Sequence, residues 1–234
     1  MLTEAERSDL QSWLRVEIKQ SSGIVLGQGY QATVFQFASP FGDVVVKSRH
    51  ESLLLGLIGK LAIRREHQIY TRLADITGIP DKLGFIDDKH LVLESVSGPS
   101  LREYEPRLQD RDRFFALLLE TLNAMHAAGV AHGDLKRKDN ILVGPGEQPF
   151  IIDFGIACVD GGSVRGWKRK RYELFKQIDY NAWTKLKYGR LLQNLSPEDS
   201  ARYKSLWLER IARWIRIPWQ KLTLRRPRQR WRRR

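Results

Sequence analysis

The run His132-Gly133-Asp134-Leu135-Lys136-Arg137-Lys138-Asp139-Asn140, followed thirteen residues later by Asp153-Phe154-Gly155, constrains this chain more than any other part of it. The apolar run Phe150-Ile151-Ile152 reads as a short strand that delivers the Asp153 carboxylate to a loop. One carboxylate, one amide and a second carboxylate thereby come onto two neighbouring loops. A carboxylate at the first position can accept a proton. An amide oxygen and a carboxylate together suit a hard divalent cation. Either fragment alone is weak, since His-Gly-Asp can be a plain turn and Asp-Phe-Gly occurs by chance.

The rest of the chain supplies matching parts in order. Gly27-Gln28-Gly29-Tyr30-Gln31-Ala32-Thr33-Val34 spaces its glycines where a backbone can pass close over phosphates without a Cβ in the way. Asp43-Val44-Val45-Val46-Lys47 is a β-branched run ending in a lysine. Ile63 to Leu73 carries apolar residues at helical spacing and places Glu66 on the same helix, as an ion-pair partner for Lys47. His90-Leu91-Val92-Leu93-Glu94-Ser95-Val96 is an apolar strand running into a flexible link that ends at Gly98-Pro99. Together these are the groups that phosphoryl transfer from a nucleoside triphosphate requires.

On these motifs the chain resembles the protein-kinase-like superfamily. More narrowly, it resembles the small bacterial lipopolysaccharide-core kinases related to the RIO-type kinases. That likeness rests on Arg64-Arg65-Glu66, Gly78-Ile79-Pro80, the 132–140 run and the segment Gln177 to Tyr188. The resemblance implies an α+β bilobal fold: a small antiparallel N-lobe sheet with one helix beside it, and a compact, reduced helical C-lobe. It implies ATP and Mg²⁺ as cofactors. ATP would be held by Gly27, Gly29, Val34, Lys47, Glu66, Glu94, Val96 and Leu142, and Mg²⁺ by Asn140 and Asp153. Asp134 would act as the base, and Lys136 would neutralise charge on the transferring group. It implies a hydroxyl of the saccharide core as acceptor, at the cytosolic membrane face.

The departures from the wider pattern are specific. Asn140 lies six residues after Asp134, where H-R-D-L-x-x-x-N has five, so either Asn140 or Asp139 is the metal ligand. Gly133 stands where many protein kinases carry an arginine. No A-P-E follows Asp153, and Ile156 to Arg171 offers one hydroxyl, Ser163. Two rivals share the same residues: a Ser/Thr protein kinase with a protein acceptor, and a non-catalytic kinase-fold module that binds nucleic acid through basic residues.

Net charge is +13, yet Glu209 to Arg234 holds eleven basic residues and one acidic, leaving +3 on the preceding 208. Trp and Arg mixed in this way suit an anionic membrane surface, at about 1 kcal/mol per basic residue. A nucleic-acid backbone is the alternative partner. Trp167-Lys168-Arg169-Lys170-Arg171 is a second basic cluster, placed after Asp153 where a polyanionic acceptor would enter. The apolar stretch Leu53 to Leu61 is expected to pack on the sheet or, if exposed, to touch a membrane. The charged N-terminus and the single cysteine, Cys158, fit a cytoplasmic, reducing compartment. The expected organisation is an N-terminal helix within 1–22, started by a Thr3/Glu6 capping box, then an N-lobe over 23–97, a C-lobe over 98–208 and a basic tail over 209–234.

Overall fold

The computed structural model describes residues 2–28, 32–49, 56–161, 166–189 and 191–204. Gly29, His50, residues 53–55 of the apolar stretch, Ser163 and the tail from 209 lie outside the described residues.

Period-2 alternation of side chains builds the N-lobe. The strands β1 (Ile24–Gln28), β2 (Ala32–Ser39), β3 (Gly42–Arg49), β4 (Lys82–Ile86) and β5 (His90–Glu94) form one antiparallel sheet in the order β1-β2-β3-β5-β4. Successive side chains of a strand point to opposite faces. On β3 and β5, Val44, Val46 and Val92 turn to the outer face, and Leu91 and Leu93 turn inward. The outer face is closed by helix α1 (Glu4–Gln20), whose Leu10 and Leu14 are one turn apart and fully buried. Burying each contributes roughly 1.5–3 kcal/mol. The Thr3 hydroxyl accepts from Glu6 N–H at 3.3 Å and the Glu6 carboxylate accepts from Thr3 N–H at 2.8 Å, so the expected capping box is present. The N-terminal helix is therefore packed on the sheet and shares its core.

Helix α2 (Gly56–Arg72) lies beside the sheet, with Ile63, Ile69 and Tyr70 in the inner core, while Leu61 is exposed. Below the cleft, the helical C-lobe packs α4 (Arg111–Ala127) against α5 (Trp167–Tyr188), and α3 (Leu101–Tyr104) lies against the segment Lys138–Val143. Two small two-stranded sheets, β6 (Val130–Ala131) with β9 (Cys158–Val159) and the hairpin of β7 (Ile141–Val143) with β8 (Pro149–Ile151), carry the loops. Trp183 is buried and donates its indole N–H to Phe115 O at 2.9 Å. The whole is the expected α+β bilobal kinase-like fold. Among the described residues, no helix is long and apolar enough to cross a membrane.

The last helix among the described residues, α6 (Pro197–Arg202), starts at Ser196 with Pro197 in its first turn and is pinned by a buried carboxylate. Asp199 accepts from Lys187 Nζ and Tyr188 Oη, both at 2.7 Å. Burial pushes the Asp199 pKa up, but these two donors outweigh it and hold it below the ordinary carboxyl value. A depressed value contributes stability that is present above the unfolded pKa of about 3.9 and lost as pH falls through the folded one. Asp199→Asn is thus expected to lower unfolding stability by about 1–3 kcal/mol at pH 7. That difference should shrink as pH is taken from about 5 to about 2 in urea titrations.

Candidate active site

Sheet register assembles the upper half of the site. Gly27 pairs with Val34, Val34 with Lys47, and Lys47 with Leu91, so one row crosses four strands. Residues directly opposite share a face. Gly27, Val34 and Lys47, separate in sequence, therefore lie side by side above the cleft. From α2, Glu66 meets Lys47 at 2.8 Å, and Asp153 meets the same ammonium at 2.8 Å from below.

This triad is electrostatically self-consistent. Burial alone would pull the Lys47 pKa down, but the two carboxylates overcome it and keep the ammonium charged. Glu66 is 3% exposed, and burial raises its pKa against the opposing pull of Lys47. Asp153 is more open. Partial desolvation works against its charge, and Lys47 outweighs that and lowers its pKa.

The lower half hangs from the β7–β8 hairpin. Ile141 pairs with Ile151, and Ile152 N–H donates to Asn140 O at 3.0 Å, so Asn140 and Asp153 emerge together at its open end. Asn140 is 4% exposed and donates its Nδ2 to Asp134 O at 3.1 Å. Asp139, the other metal-ligand option, is held by the Arg102 guanidinium at 2.6 and 2.9 Å. Its neighbour Lys138 is paired with Glu105. The extra residue of the loop is thus absorbed in a 3₁₀ turn over Lys138–Asn140 clamped to α3 and the turn after it. Asp153 adopts a left-handed φ of +66°, a strained setting for a non-glycine residue that concentrates at functional sites.

His132 ties the two loops. Its Nδ1 accepts from Asp134 N–H at 3.2 Å and its Nε2 donates to Ile152 O at 3.0 Å, which places the ring proton on Nε2. Phe154 is buried with Tyr70 of α2 at 5.1 Å and His132 at 5.0 Å between ring centroids. Helix α2 and both loops thus share one aromatic contact.

A cleft of about 860 Å³ is lined by Gly27, Val34, Lys47, Glu66, Glu94, Val96, Asp134, Asn140, Leu142 and Asp153. The structure therefore brings together every described candidate residue except Lys136. That lysine is exposed and does not line the cleft. The next residue, Arg137, does, with its guanidinium 3.8 Å from Asp134. The wall by the interlobe link is set by Gly98, whose φ is +155° and where a Cβ would sit 2.0 Å from Val143 O.

Three contributors escape motif reading. Asp179 in the middle of α5 is fully buried and accepts from His132 N–H and Gly133 N–H, both at 2.7 Å, and from His126 Nε2 at 3.1 Å. Its only signal in the sequence is an acid inside a helix otherwise meant for packing. Tyr70 could be anticipated one turn after Glu66. Arg102 could not, because its partner is 37 residues away. Gly133 has φ +80°, and a Cβ there would stand 2.5 Å from the Phe175 ring. Close packing of α5 is the physical reason that no arginine stands at this position.

No family model matches the chain. A rice (Oryza sativa) protein named as cyclin-dependent kinase F-2 is 44% identical over 30% of this chain and 24% of its own length. A protein of Lactococcus lactis named as serine/threonine-protein kinase PknB is 31% identical over 56% of this chain and 22% of its own. Serine/threonine-protein kinase PkaB of Streptomyces coelicolor is 29% identical over 57% and 35%. The chain thus spans roughly a quarter to a third of the length of these relatives. The similarities support the protein-kinase-like superfamily. The narrower likeness to lipopolysaccharide-core kinases is not shown by them.

Proposed function

We propose that this chain is an ATP- and Mg²⁺-dependent phosphotransferase that transfers a phosphoryl group to a serine or threonine hydroxyl of a protein acceptor. The observation that carries the reading is the convergence of Lys47, Glu66 and Asp153 with Asp134 and Asn140 in one cleft. The names of the relatives favour a protein acceptor over the saccharide.

The residues present suit the cation. Asn140 commits its Nδ2 to Asp134 O, which leaves its Oδ1 for a metal, and Asp153 spends one oxygen on Lys47 and keeps the other. Two oxygen ligands from the chain fit Mg²⁺, which takes its remaining ligands from phosphates and water. When bound, Mg²⁺ would neutralise charge on the phosphate oxygens. Lys47, fixed by Glu66, orients the phosphates. Asp134 accepts the proton of the acceptor hydroxyl. Arg137 supplies the positive charge that the sequence pattern assigns to Lys136.

A saccharide acceptor at an anionic membrane surface remains the second reading, carried by the missing A-P-E and the +10 tail. A cytoplasmic, membrane-peripheral location belongs with it. The test offers labelled ATP and Mg²⁺ with a Ser/Thr protein acceptor and, separately, a lipopolysaccharide-core oligosaccharide. The expected result is transfer to the protein, reduced at least about 100-fold by Lys47→Ala. Transfer to the oligosaccharide alone replaces the main reading with the second, and turnover untouched by Lys47→Ala removes both.

A further inference from the structure

Helix α5 begins with a row of cations that folding does not ask for. Its first turn carries no acid, and basic residues there oppose the helix dipole. Arg169 is neutralised by Asp160 and Glu173. Lys168, Lys170 and Arg171 are exposed, and among the described residues none has a carboxylate partner.

Their phase on the helix is informative. Residues three, four and seven apart share a helical face. Lys168 and Arg171 therefore lie on the face of Phe175, and Phe175 is the ring packed directly under Gly133, next to the proposed base Asp134. At 1.5 Å per residue, Arg171 stands about 6 Å and Lys168 about 10 Å along the axis from that contact. Arg137, four residues after Gly133, adds a further cation in the cleft itself. Trp167, 67% exposed, lies against the Arg171 guanidinium at 5.4 Å and adds a flat apolar face.

Resting on the protein-kinase reading, we propose that Lys168 and Arg171 form an acceptor-docking strip that selects acidic peptides. An extended peptide advances about 3.3 Å per residue, so carboxylates two to four positions from the acceptor serine would reach the strip. Charge complementarity of this kind acts on encounter and on KM, and salt screens it.

The test uses the full chain, ATP, Mg²⁺ and two serine peptides that differ only in carrying aspartate or asparagine at two to four residues from the serine. The expected kcat/KM is at least about ten-fold higher for the aspartate peptide at 50 mM salt, with the gap closing at 500 mM. Lys168→Ala combined with Arg171→Ala should raise KM for the aspartate peptide about five-fold at unchanged kcat, the size expected of two exposed ion pairs. Lys19→Ala on α1 should not move it. Equal kcat/KM for the two peptides, or an unmoved KM in the double variant, overturns the docking strip and leaves the kinase reading standing. Phosphorylation of the core oligosaccharide with neither peptide overturns both.

Discussion

Asp134→Asn is expected to slow phosphoryl transfer by about 10²–10⁴ while leaving the fold intact. The side chains are isosteric, and the backbone here is held independently of the carboxylate. Asp134 N–H donates to His132 Nδ1 at 3.2 Å, and Asp134 O accepts from Asn140 at 3.1 Å. What asparagine removes is the capacity to take a proton, together with the negative charge facing Arg137. The loss should fall on kcat, because Asp134 is not among the groups assigned to ATP, and KM for ATP should hold within about two-fold. Single-turnover rates with labelled ATP, alongside thermal unfolding, measure both. A variant that retains more than a tenth of the wild-type rate would remove Asp134 from the role of base.

The largest stability loss is expected at a residue that touches no substrate. Asp179→Ala deletes the acceptor for two backbone N–H groups and one imidazole, buried except for the part-buried Gly133 N–H. Buried donors left without partners cost about 1–3 kcal/mol each, and the total for a broken buried network is roughly 3–5 kcal/mol. Asp179→Asn should recover little, since its NH₂ would turn donors toward donors. The 132–134 backbone would also lose its anchor, so the folded fraction should transfer phosphoryl groups slowly. Urea unfolding reads the first effect and rates corrected for folded fraction read the second. A loss under about 1 kcal/mol would mean that the loop is held by its other contacts.

Both expectations bear on how far residue order alone reaches. Motif spacing identified Lys47, Glu66, Asp134, Asn140 and Asp153 as a set, because each answers a local demand: a strand end, a helix face, a loop after an apolar run. A helix start was equally legible, as Thr3/Glu6 shows, since capping involves neighbours three residues apart. Within the 132–140 run, local reading named Lys136 where Arg137 lines the cleft, and left Asn140 and Asp139 open. Those choices depend on which side chain a distant partner captures. Arg102 occupies both oxygens of Asp139, and the 3₁₀ turn over Lys138–Asn140 buries Asn140 against Asp134.

The sequence by itself determined the fold class and the chemical inventory of the cleft, because alternation in strands, periodicity in helices and glycine placement act over a few residues. Only the tertiary structure decided which groups face one another. It set the row Gly27–Val34–Lys47 by strand register, the seating of the 132–134 loop on buried Asp179, the glycine at 133 under Phe175 and the cationic face of α5 leading to it. These are contacts between residues tens of positions apart. Their energies come from desolvation and packing, which no local pattern encodes.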